Sequence, residues 1–137
     1  MKQRIGLVTL FVLFLIALQA CAPTAAEATN EINVVTTDFH FTPDKFTVQA
    51  GDEVTLNMKN DGKVKHEFVI IKLGMEPTIP WGEDDQEKVF WEHEAEPGTT
   101  ITEKFTAPTE PGEYIVLCGI QGHLEADMKG KLVVVAE

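Results

Sequence analysis

Basic residues are scarce in this chain of 137: 11 lysines and arginines stand against 22 aspartates and glutamates, a net charge of −11. Nucleic-acid binders carry basic patches, so this balance argues against a nucleic-acid partner and allows a basic protein surface as one. Cysteine is scarcer, with only Cys21 and Cys118. Two thiols cannot build the disulfide lattice of a small secreted scaffold. No apolar run comfortably reaches the roughly 20 residues that a membrane-spanning helix needs. A Ser-His-Asp set, a phosphate-binding P-loop, a dinucleotide fingerprint and internal repeats are all missing. No enzyme activity is expected.

The N-terminus has the proportions of an export signal. Lys2 and Arg4 precede a nearly all-apolar stretch from Ile5 to Leu18, as in a charged n-region followed by a short h-region. The alternative is a short anchor that is never cleaved. Leu18-Gln19-Ala20-Cys21 resembles the bacterial lipobox, although Gln19 departs from the small or branched residue usual there. That resemblance implies lipidation of Cys21; ordinary cleavage after Ala20, leaving a free thiol, is the alternative. Residues 1–20 are therefore expected to be a signal peptide, 21–30 a lipid-anchored linker and 31–137 the folded domain. Loss of residues 1–20 removes two bases and no acid, which lowers the net charge to −13. The product would sit in the cell envelope, anchored to the outer face of a membrane or periplasmic, as a monomer. A Cys21–Cys118 bridge is disfavoured because Cys21 lies on the linker.

Beyond the linker the pattern is that of strands. Ile32 to Phe39 is rich in β-branched residues, and Phe39 and Phe41 alternate around His40. Val54-Thr55-Leu56-Asn57-Met58 and Thr99 to Thr106 alternate at period two, which turns one side inward. Phe46 to Val48, Phe68 to Ile71, Tyr114 to Leu117 and Lys131 to Val135 complete about seven short strands, separated by turn residues such as Ala50-Gly51-Asp52 and Asn60-Asp61-Gly62. Such spacing predicts an all-β, antiparallel β-sandwich. Gly74 to Pro97, with Trp81, Trp91 and a group of acids, reads as one long excursion between strands, with room for a short helix.

The chemistry is concentrated in Cys118-Gly-Ile-Gln-Gly-His123-Leu-Glu-Ala-Asp-Met128. A cysteine closes a buried strand, a histidine follows five residues later and a methionine five after that. Gly119, Gly122 and Gly130 allow a tight loop, so a thiolate, an imidazole and a thioether can meet at one point. A soft thiolate, imidazoles and a weak axial thioether suit copper. His66, at the start of the Phe68–Ile71 strand, can supply the second imidazole. Each residue alone has a bland reading, as a satisfied histidine, core filler or a small buried hydrophobe; their spacing in an all-β chain favours one mononuclear site.

From Ile32 to Val135 the chain resembles the cupredoxins. Phe39-His-Phe41-Thr-Pro43 and Val48-Gln-Ala-Gly51-Asp52 look like their opening strands, and Cys-x4-His-x4-Met matches the loop spacing of auracyanin and rusticyanin. The resemblance implies a Greek-key sandwich with one type 1 copper ion held by His66, Cys118, His123 and Met128. It also implies that His123 lies at the surface as the electron port, with Ile120 and Leu124 in an apolar rim. Many cupredoxin electron carriers have Asn after the upstream histidine, where this chain has Glu67. His66-Glu67-Phe68-Val69 is similar instead to small periplasmic cupredoxins linked to copper resistance.

Single-electron shuttling is therefore the first functional reading, and copper handling or tolerance the second. A copper nitrite reductase is disfavoured, because only His40 and His93 remain for a further copper. His40 is expected to face solvent, His93 to lie in an acidic surface stretch, and Met75 has no support as a ligand. Glu83, Asp84, Asp85 and Glu87 form an acidic patch that either steers a basic redox partner, such as a c-type cytochrome or an oxidase subunit, or simply solvates a loop.

Overall fold

The computed structural model describes residues 27–136. The expected signal peptide, Cys21 and most of the expected linker lie outside the described residues. Among the described residues nine strands form two sheets. β1 (Glu31–Thr37), β2 (His40–Thr42), β4 (Glu53–Asn60) and β7 (Thr100–Thr106) make one, in the order β2-β1-β4-β7. β3 (Lys45–Gln49), β5 (His66–Ile71), β6 (Val89–Ala95), β8 (Gly112–Leu117) and β9 (Lys129–Val135) make the other, in the order β3-β9-β8-β5-β6. The chain crosses between the sheets after β2, β3, β4, β6 and β7. This is the expected all-β sandwich.

The sheets are mixed rather than wholly antiparallel. β1 pairs parallel to β4, and β3 parallel to β9. Side-chain alternation is the same in both kinds of ladder, so the sequence pattern does not reveal pairing direction. Alternation does set the faces: Ile32, Val34, Val54, Leu56 and Met58 turn inward and meet Phe46, Val48, Phe68, Ile70, Leu132 and Val134 from the other sheet.

The Gly74–Pro97 excursion is shorter than expected. It holds a 3₁₀ helix, Glu83–Lys88, and then the edge strand β6, whose outward Phe90, Glu92 and Glu94 masked its period. The segment before β6 explains why β5 is apolar on both faces from Phe68 to Ile71. Val69, Ile71 and Leu117 point away from the main core and are covered by Trp81, Val89 and Leu124. Asp85 pins this cover. It is fully buried and accepts hydrogen bonds from Thr78 N–H (2.9 Å), Thr78 Oγ1 (2.5 Å), Gly82 N–H (3.1 Å) and Lys88 Nζ (2.7 Å). Burial alone would raise its pKa; Lys88 and the Thr78 and Gly82 donors hold it well below the usual carboxylate range. Asp85 is thus a structural anchor and not part of an accessible acidic patch, which leaves Glu83, Asp84 and Glu87 exposed.

Candidate metal centre

β5 and β8 are antiparallel neighbours, with Val69 opposite Leu117 and Ile70 opposite Val116. Continued by three residues, that register brings the start of β5 to the chain just after β8. His66 and Cys118 therefore lie side by side at one end of the sandwich, both fully buried. The loop back to β9 is wound tightly by its own backbone. Cys118 N–H donates to Met128 O (3.2 Å), Met128 N–H to His123 O (2.9 Å), His123 N–H to Ile120 O (3.0 Å) and Ala126 N–H to Gly122 O (3.1 Å). Gly122 takes φ +87°, a left-handed conformation that suits glycine.

This winding brings His123 onto the His66–Cys118 pair. Cys118 Sγ lies 3.2 Å from His123 Nδ1 and 3.8 Å from His66 Nδ1, and the three donor atoms are all within 4.8 Å of one another. Donors bonded at about 2.0–2.3 Å to a common centre are separated by distances of this size. Burial lowers the pKa of both imidazoles, aided at His66 by His123, which favours the ring form that has a free lone pair. Burial also raises the pKa of the Cys118 thiol, against the Glu67 and Ile120 N–H groups that lower it. A thiolate in this place needs a cation beside it. Two buried imidazoles and a buried thiol at these separations fit a thiophilic, imidazole-binding metal ion. Met128 is fully buried in the same core cluster as Cys118.

Two expectations about the surface change, those for His123 and Leu124. His123 is only 6% exposed, because the ring of Phe39 stands edge-on to it with centroids 5.2 Å apart. Leu124 is not at a rim: it is 5% exposed and packs with Val69, Ile71 and Leu117. Ile120 is half-buried against the main core. The exposed apolar residue over the site is Phe39, at 42%. It is not a strand residue as its alternation with Phe41 suggested, but sits in the β1–β2 turn with φ +72°. A bulky residue rarely adopts that conformation, and no local sequence signal marks it. Elsewhere, His40 and Met75 are exposed, and His93 stacks on Trp91 at 6.2 Å with Glu103 at 3.6 Å.

Glu67 is half-buried beside the site. Its N–H donates to Cys118 Sγ at 3.3 Å. Its carboxyl lines a cleft of about 440 Å³ with Trp81, Glu83, Glu92, Gly119 and Gln121, and burial together with Glu92 pushes its pKa up.

The sequence model of the cupredoxin-like domain matches residues 7–99, a span that includes His66 and ends before the Cys118 loop. The copper-resistant cuproprotein CopI of Rubrivivax gelatinosus is 32% identical over 120 residues, covering 80% of this chain and 69% of that protein. Auracyanin-A of Chloroflexus aurantiacus is 30% identical over 121 residues, covering 77% and 74% respectively. Among solved structures, reduced auracyanin from Roseiflexus castenholzii superposes with a TM-score of 0.66 at 26% identity, covering 80% of this chain and 99% of that one. The blue copper protein auracyanin A from the Chloroflexus species gives 0.61 at 28% identity, covering 77% and 98%.

Proposed function

This chain belongs to the cupredoxin-like family, with one type 1 copper ion as its cofactor, and from that premise we propose that it shuttles single electrons between redox partners in the cell envelope. In this reading His66, Cys118, His123 and Met128 would hold the ion. The observation that carries it is the convergence of three buried donors on one point, each fixed by backbone structure. When bound, copper supplies a one-electron Cu(I)/Cu(II) couple. Loop hydrogen bonds and core packing hold the donors in one arrangement, so little has to move when the charge changes. Burial excludes water and, with the Glu67 N–H on Cys118 Sγ, tunes the potential. Phe39 and His123 form the contact through which a partner reaches the site. Exposed Glu83, Asp84 and Glu87 favour a basic partner of the c-type cytochrome kind. Cys21 lipidation would hold the protein, as a monomer, at the membrane surface.

The test is the visible and EPR spectrum of the copper-loaded protein, followed by a redox titration. An intense thiolate-to-copper band is expected, and Cys118→Ser should abolish it. A band that survives this substitution removes Cys118 from the site.

A second reading, copper buffering or tolerance, is favoured by Glu67 with Glu83 and Glu92 along the cleft beside Gly119, and by the CopI relative. Deletion of the gene discriminates: copper sensitivity supports this reading, and a respiratory or photosynthetic defect without it supports the first.

A further inference from the structure

Among the described residues, His66 Nε2 is the buried side-chain nitrogen or oxygen without a hydrogen-bond partner. Buried polar atoms of this kind normally have one. The carboxylate of Asp38 faces it, with Oδ1 3.7 Å from Nε2. Gly62 keeps the space between them open: a Cβ at that position would lie 2.7 Å from each of those two atoms. The surrounding connection is folded around the aspartate. Lys63 N–H donates to Asp38 Oδ1 at 3.0 Å. Asn60 accepts from Gly62 N–H and donates to the carbonyls of Val64 and Ala95. The other ring nitrogen of His66, Nδ1, is the one turned to Cys118 Sγ. A ligating imidazole is oriented, and its tautomer fixed, by what its second nitrogen donates to.

We propose that Asp38 is a positioning residue of the copper centre: its carboxylate accepts the Nε2 proton of His66, fixes Nδ1 as the ligating atom and adds negative charge that favours the oxidised ion. A movement of about half an ångström brings the pair into hydrogen-bond range. The inference rests on the ligand role given to His66 above. Asp38 and the neighbouring Phe39 together account for the β1–β2 turn, since each of these consecutive residues meets one of the two site histidines.

Asp38→Asn keeps an acceptor for Lys63 N–H and removes the charge. It should retain the thiolate-to-copper band and weaken Cu(II) relative to Cu(I) by about tenfold, the lower end of what second-sphere substitutions cost. For one electron that is a rise in potential of about 59 mV. Asp61→Asn is the control, because Asp61 is an exposed carboxylate of the β4–β5 connection that surrounds Asp38, paired with Lys59. An independent readout needs no substitution: long-range ¹H–¹⁵N NMR of the metal-free protein should find His66 as the Nε2–H tautomer. A shift in Asp38→Asn no larger than in Asp61→Asn, or a wild-type Nδ1–H tautomer, overturns the role of Asp38. A wild-type protein without the thiolate band overturns the ligand reading itself, and this inference with it.

Discussion

The backbone N–H of Glu67 donates to Cys118 Sγ at 3.3 Å, so the residue that follows one site histidine is tied to the site cysteine by its main chain. The tie does not use the carboxylate, which points into the cleft with Trp81 and Glu92. Any non-proline residue at position 67 supplies the same donor. Glu67→Asn should therefore leave the position of the thiolate-to-copper band unchanged. A clear band shift would show that the carboxylate acts on the sulfur directly. Lost copper tolerance with an unchanged spectrum would assign the side chain to copper capture.

Phe39 combines a cost and a gain. Its left-handed backbone costs roughly 1–2 kcal/mol for an L-residue, and its edge contact with His123 returns about 0.5–1.5 kcal/mol. Phe39→Gly removes both. Its unfolding free energy should lie within about 1 kcal/mol of wild type, because the backbone relief also offsets glycine's extra entropy. His123 should become accessible, and oxidation by small anionic metal complexes should speed up. Denaturant melts and stopped-flow traces check the two halves separately.

Asp85→Ala should destabilise the fold by about 2–3 kcal/mol, because it strands the Thr78 and Gly82 N–H donors that the buried carboxylate satisfies. The sign of the pH dependence follows from its lowered pKa. Its contribution is complete above the ordinary aspartate range and is lost as pH falls below it. The variant should therefore lose most stability at neutral pH and show a flatter acid limb. Urea melts across pH 2–7 measure this; parallel limbs in the two proteins would contradict it.

Conversion of Glu83, Asp84 and Glu87 to their amides should slow reduction by a basic cytochrome at low salt and leave the potential nearly unchanged. The wild-type advantage should vanish as screening shortens the Debye length to about 8 Å at physiological ionic strength. A wild-type rate that does not respond to salt would reduce these acids to solvation. Asp85 is left intact in this variant because its carboxylate is internal.

Most of the sandwich was legible because period-two alternation in β4 and β7 and the solid run of β5 report burial directly. The Cys118–Met128 loop was legible because its three chemical groups are close in sequence. His66 was reachable because it begins the strand that runs into the apolar stretch Phe68 to Ile71. Pairing direction was not visible, since β1–β4 and β3–β9 alternate as any ladder does. β6 was obscured by outward acids. Asp85 looked like one more surface charge, because only the fold brings Thr78, Gly82 and Lys88 around it. Asp38 and Phe39 were missed for the same reason: their partners lie 28 and 84 positions away, and nothing local announces them.

His66, Cys118 and His123 all hang from β5, β8 and the loop into β9, which belong to one sheet and are contiguous within it. A metal bonded there cross-links neighbours that are already hydrogen-bonded and does not clamp the two layers together. The gain on loading should therefore be local, concentrated in one cooperative unit of unfolding. Amide protons of β5, β8 and β9 should exchange more slowly in the loaded protein, and those of β7 and the far end of β4 should hardly change. Thermal opening would then begin in the β2-β1-β4-β7 layer, and the ion would be among the last things released.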